Sequence, residues 1–89
     1  MNENEFNKYV MNTYKRYPIS FEHGEGAYLF DDKGNKYLDF VSGIAVNALG
    51  YKNKNFIDSI TKQLNKINHS SNLFYVEPQG VISKKISEI

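Results

Sequence analysis

The sequence has no cysteine, which excludes a disulfide framework and a thiolate metal site and fits a reducing compartment. It has no surplus of either charge. Eleven Lys and Arg against ten Asp and Glu leave a formal net charge of +1, so neither a nucleic-acid backbone nor an anionic membrane has an electrostatic partner here. No apolar run is long enough to span a bilayer, and the N-terminus, Met1-Asn2-Glu3-Asn4-Glu5, carries acid where a signal peptide carries base. Nucleic acid and membrane are therefore set aside as partners, and the expected location is the cytoplasm. Histidine is scarce as well: His23 and His69 are the only two, and no pair of histidines or carboxylates sits on one helix at the spacing of a metal site, so no metal is expected. There is no internal repeat, linker or low-complexity segment. A chain of 89 residues fits one domain with a thin core, burying about 60–65% of its unfolded surface.

What is present reads as an α+β chain: an N-terminal helix, a three-stranded antiparallel sheet and two further helices. Phe6, Tyr9, Val10, Thr13 and Tyr14 share one helical face over about Asn4 to Tyr14, and Pro18 bars Tyr17 from helix. Ile19, Phe21 and His23 alternate with polar residues in a short strand closed by Gly24-Glu25-Gly26, a turn that lacks the further glycine of a dinucleotide fingerprint. The aromatic-rich runs Ala27–Phe30 and Lys36–Phe40 flank Asp31-Asp32-Lys33-Gly34-Asn35 and form a hairpin. There an Asp at the turn entry accepts backbone hydrogen bonds, and Gly34 takes a left-handed conformation. Phe56, Ile57, Ile60, Leu64 and Ile67 mark a helix from about Lys54 to Asn68, with Asn53 or Asn55 as its cap. His69-Ser70-Ser71-Asn72 is a polar helix end, without the third orienting group of a catalytic triad. Pro78 opens a last helix with Val81, Ile82, Ile86 and Ile89 on its apolar face. That pattern is still in force at Ile89 with no C-capping Gly or Pro, so the expectation is a chain cut within its last helix.

Between the sheet and the helices lies the stretch around which the chain is organised, Asp39-Phe40-Val41-Ser42-Gly43-Ile44-Ala45-Val46-Asn47-Ala48-Leu49-Gly50. Its small residues let a backbone approach another surface, while Ile44, Val46 and Leu49 are costly to leave in water. Such a segment lines something, whether a neighbouring element or a ligand. Arg16, the only arginine, could clamp a carboxylate through two parallel bonds, but a surface position is the expectation.

The run Gly34 to Gly50 resembles the signature near the start of the class III pyridoxal-phosphate aminotransferases. Asn12-Thr13-Tyr14-Lys15-Arg16-Tyr17-Pro18, Gly24-Glu25-Gly26-Ala27, and His69-Ser70-Ser71-Asn72-Leu73-Phe74-Tyr75 with Glu77-Pro78-Gln79 match in the same order and at the same spacing. The pattern departs at Tyr51-Lys52-Asn53, where the family commonly has His followed shortly by Pro. This reads as drift at a helix entrance.

The resemblance implies that residues 1–89 form part of the small domain of a fold-type I transferase. It further implies a homodimer that moves an amino group between N-acetylornithine and 2-oxoglutarate, in arginine biosynthesis, on pyridoxal phosphate. Ornithine or succinylornithine as substrate, or a non-catalytic interaction module, are the alternatives. The cofactor needs a Schiff-base lysine, a carboxylate at the pyridine nitrogen and phosphate donors. None is identifiable here, so no catalytic or cofactor-binding residue is assigned and the 89 residues alone are expected to be inactive. What the resemblance assigns to this segment is substrate contact by Ile44 and Tyr75, backed by Gly43 and Asn72. An apolar residue at position 44 suits an acylated substrate, whereas family members that take free ornithine tend to carry Tyr there.

Overall fold

In the computed structural model, which describes residues 1–89, the chain divides into two units, Met1–Asn53 and Lys54–Ile89. The first unit opens with α1 (Glu3–Tyr9). Asn2 caps it by accepting the Glu5 amide at 2.8 Å, and Glu3 and Glu5 sit in the positively polarised first turn. The helix is shorter than the apolar spacing predicts. Val10 is already extended (φ −98°, ψ 128°), and a tight turn from the Thr13 amide to the Met11 carbonyl at 2.9 Å replaces the next helical turn. Val10, Asn12 and Thr13 are all weak helix formers, and α1 meets no packed surface that would extend it.

Three strands follow in the order β1 (Phe21–Glu25), β2 (Tyr28–Asp31) and β3 (Lys36–Leu38), all antiparallel. β1 runs two residues further than its alternation suggests, because Gly24 and Glu25 pair with Leu29 and Tyr28 across a two-residue turn at Gly26-Ala27. A bulge between Phe21 and His23 shifts the register. His23 stacks on Phe30 at 4.6 Å on one face, and Phe21 meets Tyr37 edge-on at 5.6 Å on the other.

The β2–β3 hairpin is built on Asp31, as its turn residues predict. One carboxylate oxygen accepts the Lys33 amide at 3.0 Å and the Asn35 amide at 2.8 Å, while the other accepts the Asn35 side chain at 2.9 Å and the Tyr37 hydroxyl at 3.0 Å. Gly34 takes φ 84° in the turn. Asp31 is the one buried residue of the chain, 6% exposed, and no hydrophobic side chain is buried. A thin apolar core is thus not merely thin but absent, and polar bonds organise the sheet.

In the second unit, α3 (Lys54–Leu64) presents Phe56, Ile57, Ile60 and Leu64, all exposed. Lys54 and Asp58 pair one turn apart. The helix stops short of Asn68: the Lys66 and Ile67 amides both turn onto the Gln63 carbonyl at 3.1 and 3.0 Å in a tightened last turn, and the Asn65 side chain adds a bond at 2.9 Å to the Thr61 carbonyl beside that of its own amide. α4 (Glu77–Ser87) starts with Pro78 in its first turn, as predicted, and shows Val81, Ile82 and Ile86 to solvent. No helix is long and apolar enough to cross a membrane.

Hydrogen bonding, above all from the Asn35 side chain, holds the Asp31 carboxyl below its ordinary 3.8, and the same contact pushes the Tyr37 hydroxyl above 10.0. A depressed folded-state value means that Asp31 adds stability above about pH 4, lost as the pH falls through the lowered value. Tyr37 adds stability below pH 10, lost as the pH rises through its raised value. A carboxyl-carbon NMR titration is expected to show Asp31 titrating below the ordinary 3.8 of an aspartate, and Asp31→Asn to remove the acid-dependent loss of hairpin signals. Titration of Asp31 at or above that ordinary value would contradict this assignment.

Candidate functional site

The functional end of the first unit begins where β3 stops. The Asp39 amide bonds to the Ala27 carbonyl at 2.8 Å, which ties the exit of β3 to the β1–β2 turn. One oxygen of its carboxylate accepts the Val41 amide at 3.1 Å and the Ser42 amide at 2.9 Å, while the other accepts the Tyr51 hydroxyl at 2.6 Å. That hydroxyl in turn accepts the Asn47 side-chain amide at 3.1 Å. Tyr51 is itself fixed from two sides. It exchanges backbone bonds with Gly26 at 3.0 and 2.8 Å, and its ring lies over Gly24, where an added Cβ would sit 2.4 Å from the ring. Gly50 is pressed equally close, its missing Cβ 2.7 Å from the Gly26 carbonyl oxygen.

Between Asp39 and Tyr51 lies α2 (Ser42–Ala45), a single turn wound left-handed. Ser42, Gly43, Ile44 and Ala45 take φ of 52°, 61°, 61° and 63°, whereas Val41 and Val46 on either side are right-handed at −85° and −87°. The turn closes through the Ala45 amide on Val41 and the Val46 and Asn47 amides on Ser42, at 3.1, 2.8 and 2.9 Å. Left-handed backbone costs an L-residue about 1–2 kcal/mol, and three of the four residues are not glycine. Strain of this kind persists only where the surroundings over-determine it, and it concentrates at functional sites. Beside the turn is a cleft of about 320 Å³ bordered by Gly26, Ala27, Asp39, Ser42, Asn47 and Tyr51.

The electrostatics follow from the same contacts. The Tyr51 hydroxyl, and then the Ser42 and Val41 amides, hold the Asp39 carboxyl below its ordinary value. Donating to that carboxylate pushes the Tyr51 hydroxyl above 10.0, partly offset by the Asn47 amide. Asp39 is therefore an anion, and Tyr51 a neutral donor, at any physiological pH.

Of the residues the resemblance singles out, Gly43 and Ile44 are neighbours at the centre of the left-handed turn, and Ile44 is 86% exposed. Asn72 and Tyr75 belong to the second unit, in the segment between α3 and α4. There the Phe74 amide closes on the Ser71 carbonyl at 3.0 Å and the Leu73 amide on the Ser71 hydroxyl at 3.2 Å. Asn72 is exposed in that turn, and Tyr75 just after it is fully exposed at 107%. Asp39, Asn47 and Tyr51 were not singled out by the sequence. Tyr51-Lys52-Asn53 leads directly into α3 at Lys54, the helix entrance expected there, and Tyr51 is in addition held to the β1–β2 turn by a bridge to Gly26. The available signal is the pair Gly24 and Gly26, small residues where a ring and a backbone must pass. Arg16 lies over the rings of Phe6 at 5.1 Å and Tyr14 at 5.9 Å.

This arrangement, a helix and a three-stranded antiparallel sheet leading through a strained turn to two further helices, is shared with solved structures of pyridoxal-phosphate-dependent aminotransferases of fold-type I. Residues 9–89 match the family Aminotransferase class-III, and the chain belongs to that family. It is 48% identical over 81 residues to the acetylornithine aminotransferase of Caldanaerobacter subterraneus subsp. tengcongensis, covering 91% of this chain and 21% of that protein. The crystal structure of acetylornithine aminotransferase from Elizabethkingia anophelis superposes with a TM-score of 0.89 at 26% identity, over 96% of this chain and 22% of that one. Adenosylmethionine-8-amino-7-oxononanoate aminotransferase from Methanocaldococcus jannaschii superposes at 0.84 with 36% identity, over 97% and 22%. The chain spans about a fifth of the length of the curated relatives it matches.

Class III aminotransferases work with pyridoxal phosphate, and the residues present do not build a cradle for it. All ten lysines are exposed. The two carboxylates with the richest bonding, Asp31 and Asp39, have both oxygens engaged by groups of this chain. No group of three or more His, Asp or Glu could hold a metal ion.

Gly24→Ala tests how firmly Tyr51 is seated. Crowding the ring by a methyl group is expected to cost about 1–3 kcal/mol, read as a lowered denaturation midpoint with loss of amide protection at Gly26 and Tyr51. An unchanged midpoint would show that the ring does not rest on β1.

Proposed function

We propose that this chain is the N-terminal portion of the small domain of an acetylornithine aminotransferase, and that its left-handed turn forms one wall of the substrate cleft. The observation that carries the reading is Ile44, an exposed aliphatic side chain on strained backbone. Exposure alone is shared with other aliphatic side chains of the chain; the strained backbone beneath Ile44 is what favours contact with an apolar part of a ligand. The N-acetyl end of N-acetylornithine is uncharged and partly apolar, and it matches Ile44 better than the ammonium end of free ornithine does. Gly43 lets the backbone come close to the ligand. For the second unit the resemblance assigns substrate contact to Tyr75 and Asn72, and that assignment is proposed separately from the turn of the first unit.

In this reading the enzyme is a homodimer that passes an amino group between N-acetylornithine and 2-oxoglutarate on pyridoxal phosphate, and the groups that hold the cofactor lie outside these 89 residues. The exposed faces of α3 and α4 then pack against the rest of the enzyme. Relatives named for acetylornithine at 40–48% identity support this substrate. The 36% identity to an aminotransferase named for another amine keeps a different class III substrate as the second reading.

The test uses the complete enzyme. A lysine-bound cofactor absorbance band that bleaches with N-acetylornithine and not with ornithine supports the proposal, and bleaching only by another amine supports the second reading. Ile44→Tyr is expected to lower kcat/KM for N-acetylornithine relative to ornithine by about 10–100-fold, the range for a mismatch in an apolar pocket. An unchanged ratio would remove Ile44 from the cleft wall.

A further inference from the structure

We infer that Tyr51 is a positioning residue for substrate binding: its hydroxyl, clasped between the Asp39 carboxylate and the Asn47 side chain, holds the turn Ser42–Ala45 left-handed so that the Ile44 side chain is displayed, exposed, to a ligand. This rests on the functional reading above and assigns a role to a position where the sequence leaves the family pattern.

The left hand of the turn Ser42–Ala45 needs a cause. Its three internal bonds reach only the Val41 and Ser42 carbonyls. A right-handed turn makes bonds of the same kind without the strain, so the turn's own hydrogen bonding does not select the left hand. Selection must come from its two ends. At the entrance, Asp39 grips the Val41 and Ser42 amides and sets the direction in which the chain enters. Beyond the exit, Asn47 is held by the Tyr51 hydroxyl, and that same hydroxyl donates to the second Asp39 oxygen.

Both ends of the turn therefore meet at one oxygen atom. A tyrosine hydroxyl has one proton to give and lone pairs to accept with. Here the proton goes to Asp39, and an accepting site takes the Asn47 amide. The atom is placed by groups that do not belong to the turn, through the backbone exchange with Gly26 and the seat of the ring on Gly24. Ile44 makes none of these bonds, so Tyr51 acts on substrate only through the conformation that displays it.

The experiment compares wild type, Tyr51→Phe, Asp39→Asn and the double variant of the complete enzyme. Phe keeps the ring on Gly24 and removes only the hydroxyl. Asn keeps the shape of Asp39 and its acceptor for the Val41 and Ser42 amides while losing the acceptor for Tyr51, and it decides the matter if Tyr51→Phe fails to fold. Each variant, and the double variant no more than either single one, is expected to raise KM for N-acetylornithine about tenfold with kcat within about twofold, the scale of one hydrogen bond to a charged group. Hydrogen exchange in the 39–51 segment is expected to quicken by a similar factor.

Unchanged KM, independent and additive effects, or loss of kcat at constant KM would each overturn the inference. A lowered melting temperature with unchanged KM and exchange would do so too, since it marks a merely structural tyrosine. A wild type that transfers no amino group to 2-oxoglutarate overturns the functional reading and the substrate half of this inference. The exchange comparison then still decides whether the clasp holds the turn.

Discussion

The carboxylate of Asp39 is shared between two backbone amides on one side and a tyrosine hydroxyl on the other, and the functional end of the first unit depends on that division. A charged acceptor strengthens each bond and gives it direction, which an apolar contact cannot do. The direction is what matters here. The chain leaves β3, reverses hand for four residues and returns to pair with the β1–β2 turn, all within thirteen positions. An anion at the start and a hydroxyl at the end close that path into a loop of defined shape.

The same device appears at Asp31, where a carboxylate gathers two amides, an Asn side chain and a Tyr hydroxyl to close the β2–β3 hairpin. Each hub holds a turn, and each leaves its carboxyl more acidic and its tyrosine less acidic than usual. With no hydrophobic side chain buried, these two hubs and the sheet bonds carry the specification of the first unit. Three strands and short helices rarely stand without a covering layer. The exposed aliphatic faces agree with a chain that spans about a fifth of its relatives' length.

Much of this was legible in the sequence, and the rest was hidden for physical reasons. The hairpin could be read because Asp31 and Gly34 act on residues within a few positions of themselves, and Pro78 announced α4 in the same local way. The C-terminal ends of α1 and α3 were misplaced because periodicity reports a face and not where the backbone leaves the helix, at Val10 after α1 and at the tightened turn onto the Gln63 carbonyl after α3. The left-handed turn was illegible: Ser42, Ile44 and Ala45 have no intrinsic preference for it, and only Gly43 hints at it. The bonds of Tyr51 were hidden because its partners lie twelve residues back at Asp39 and further back still, at Gly24 in β1 and Gly26 in the turn that follows it. The resemblance drew attention to Ile44 without revealing what displays it.

In the proposed reading, the specificity of a substrate-cleft wall rests on a strained turn that Asp39, Asn47 and Tyr51 keep wound left-handed. That role is conformational, so the backbone angles themselves are the most direct measurement. A high-resolution electron-density map of the complete enzyme should show Ser42, Ile44 and Ala45 at positive φ with the Tyr51 hydroxyl on the Asp39 carboxylate. A right-handed turn at these residues, or a Tyr51 hydroxyl turned away from Asp39, would contradict it.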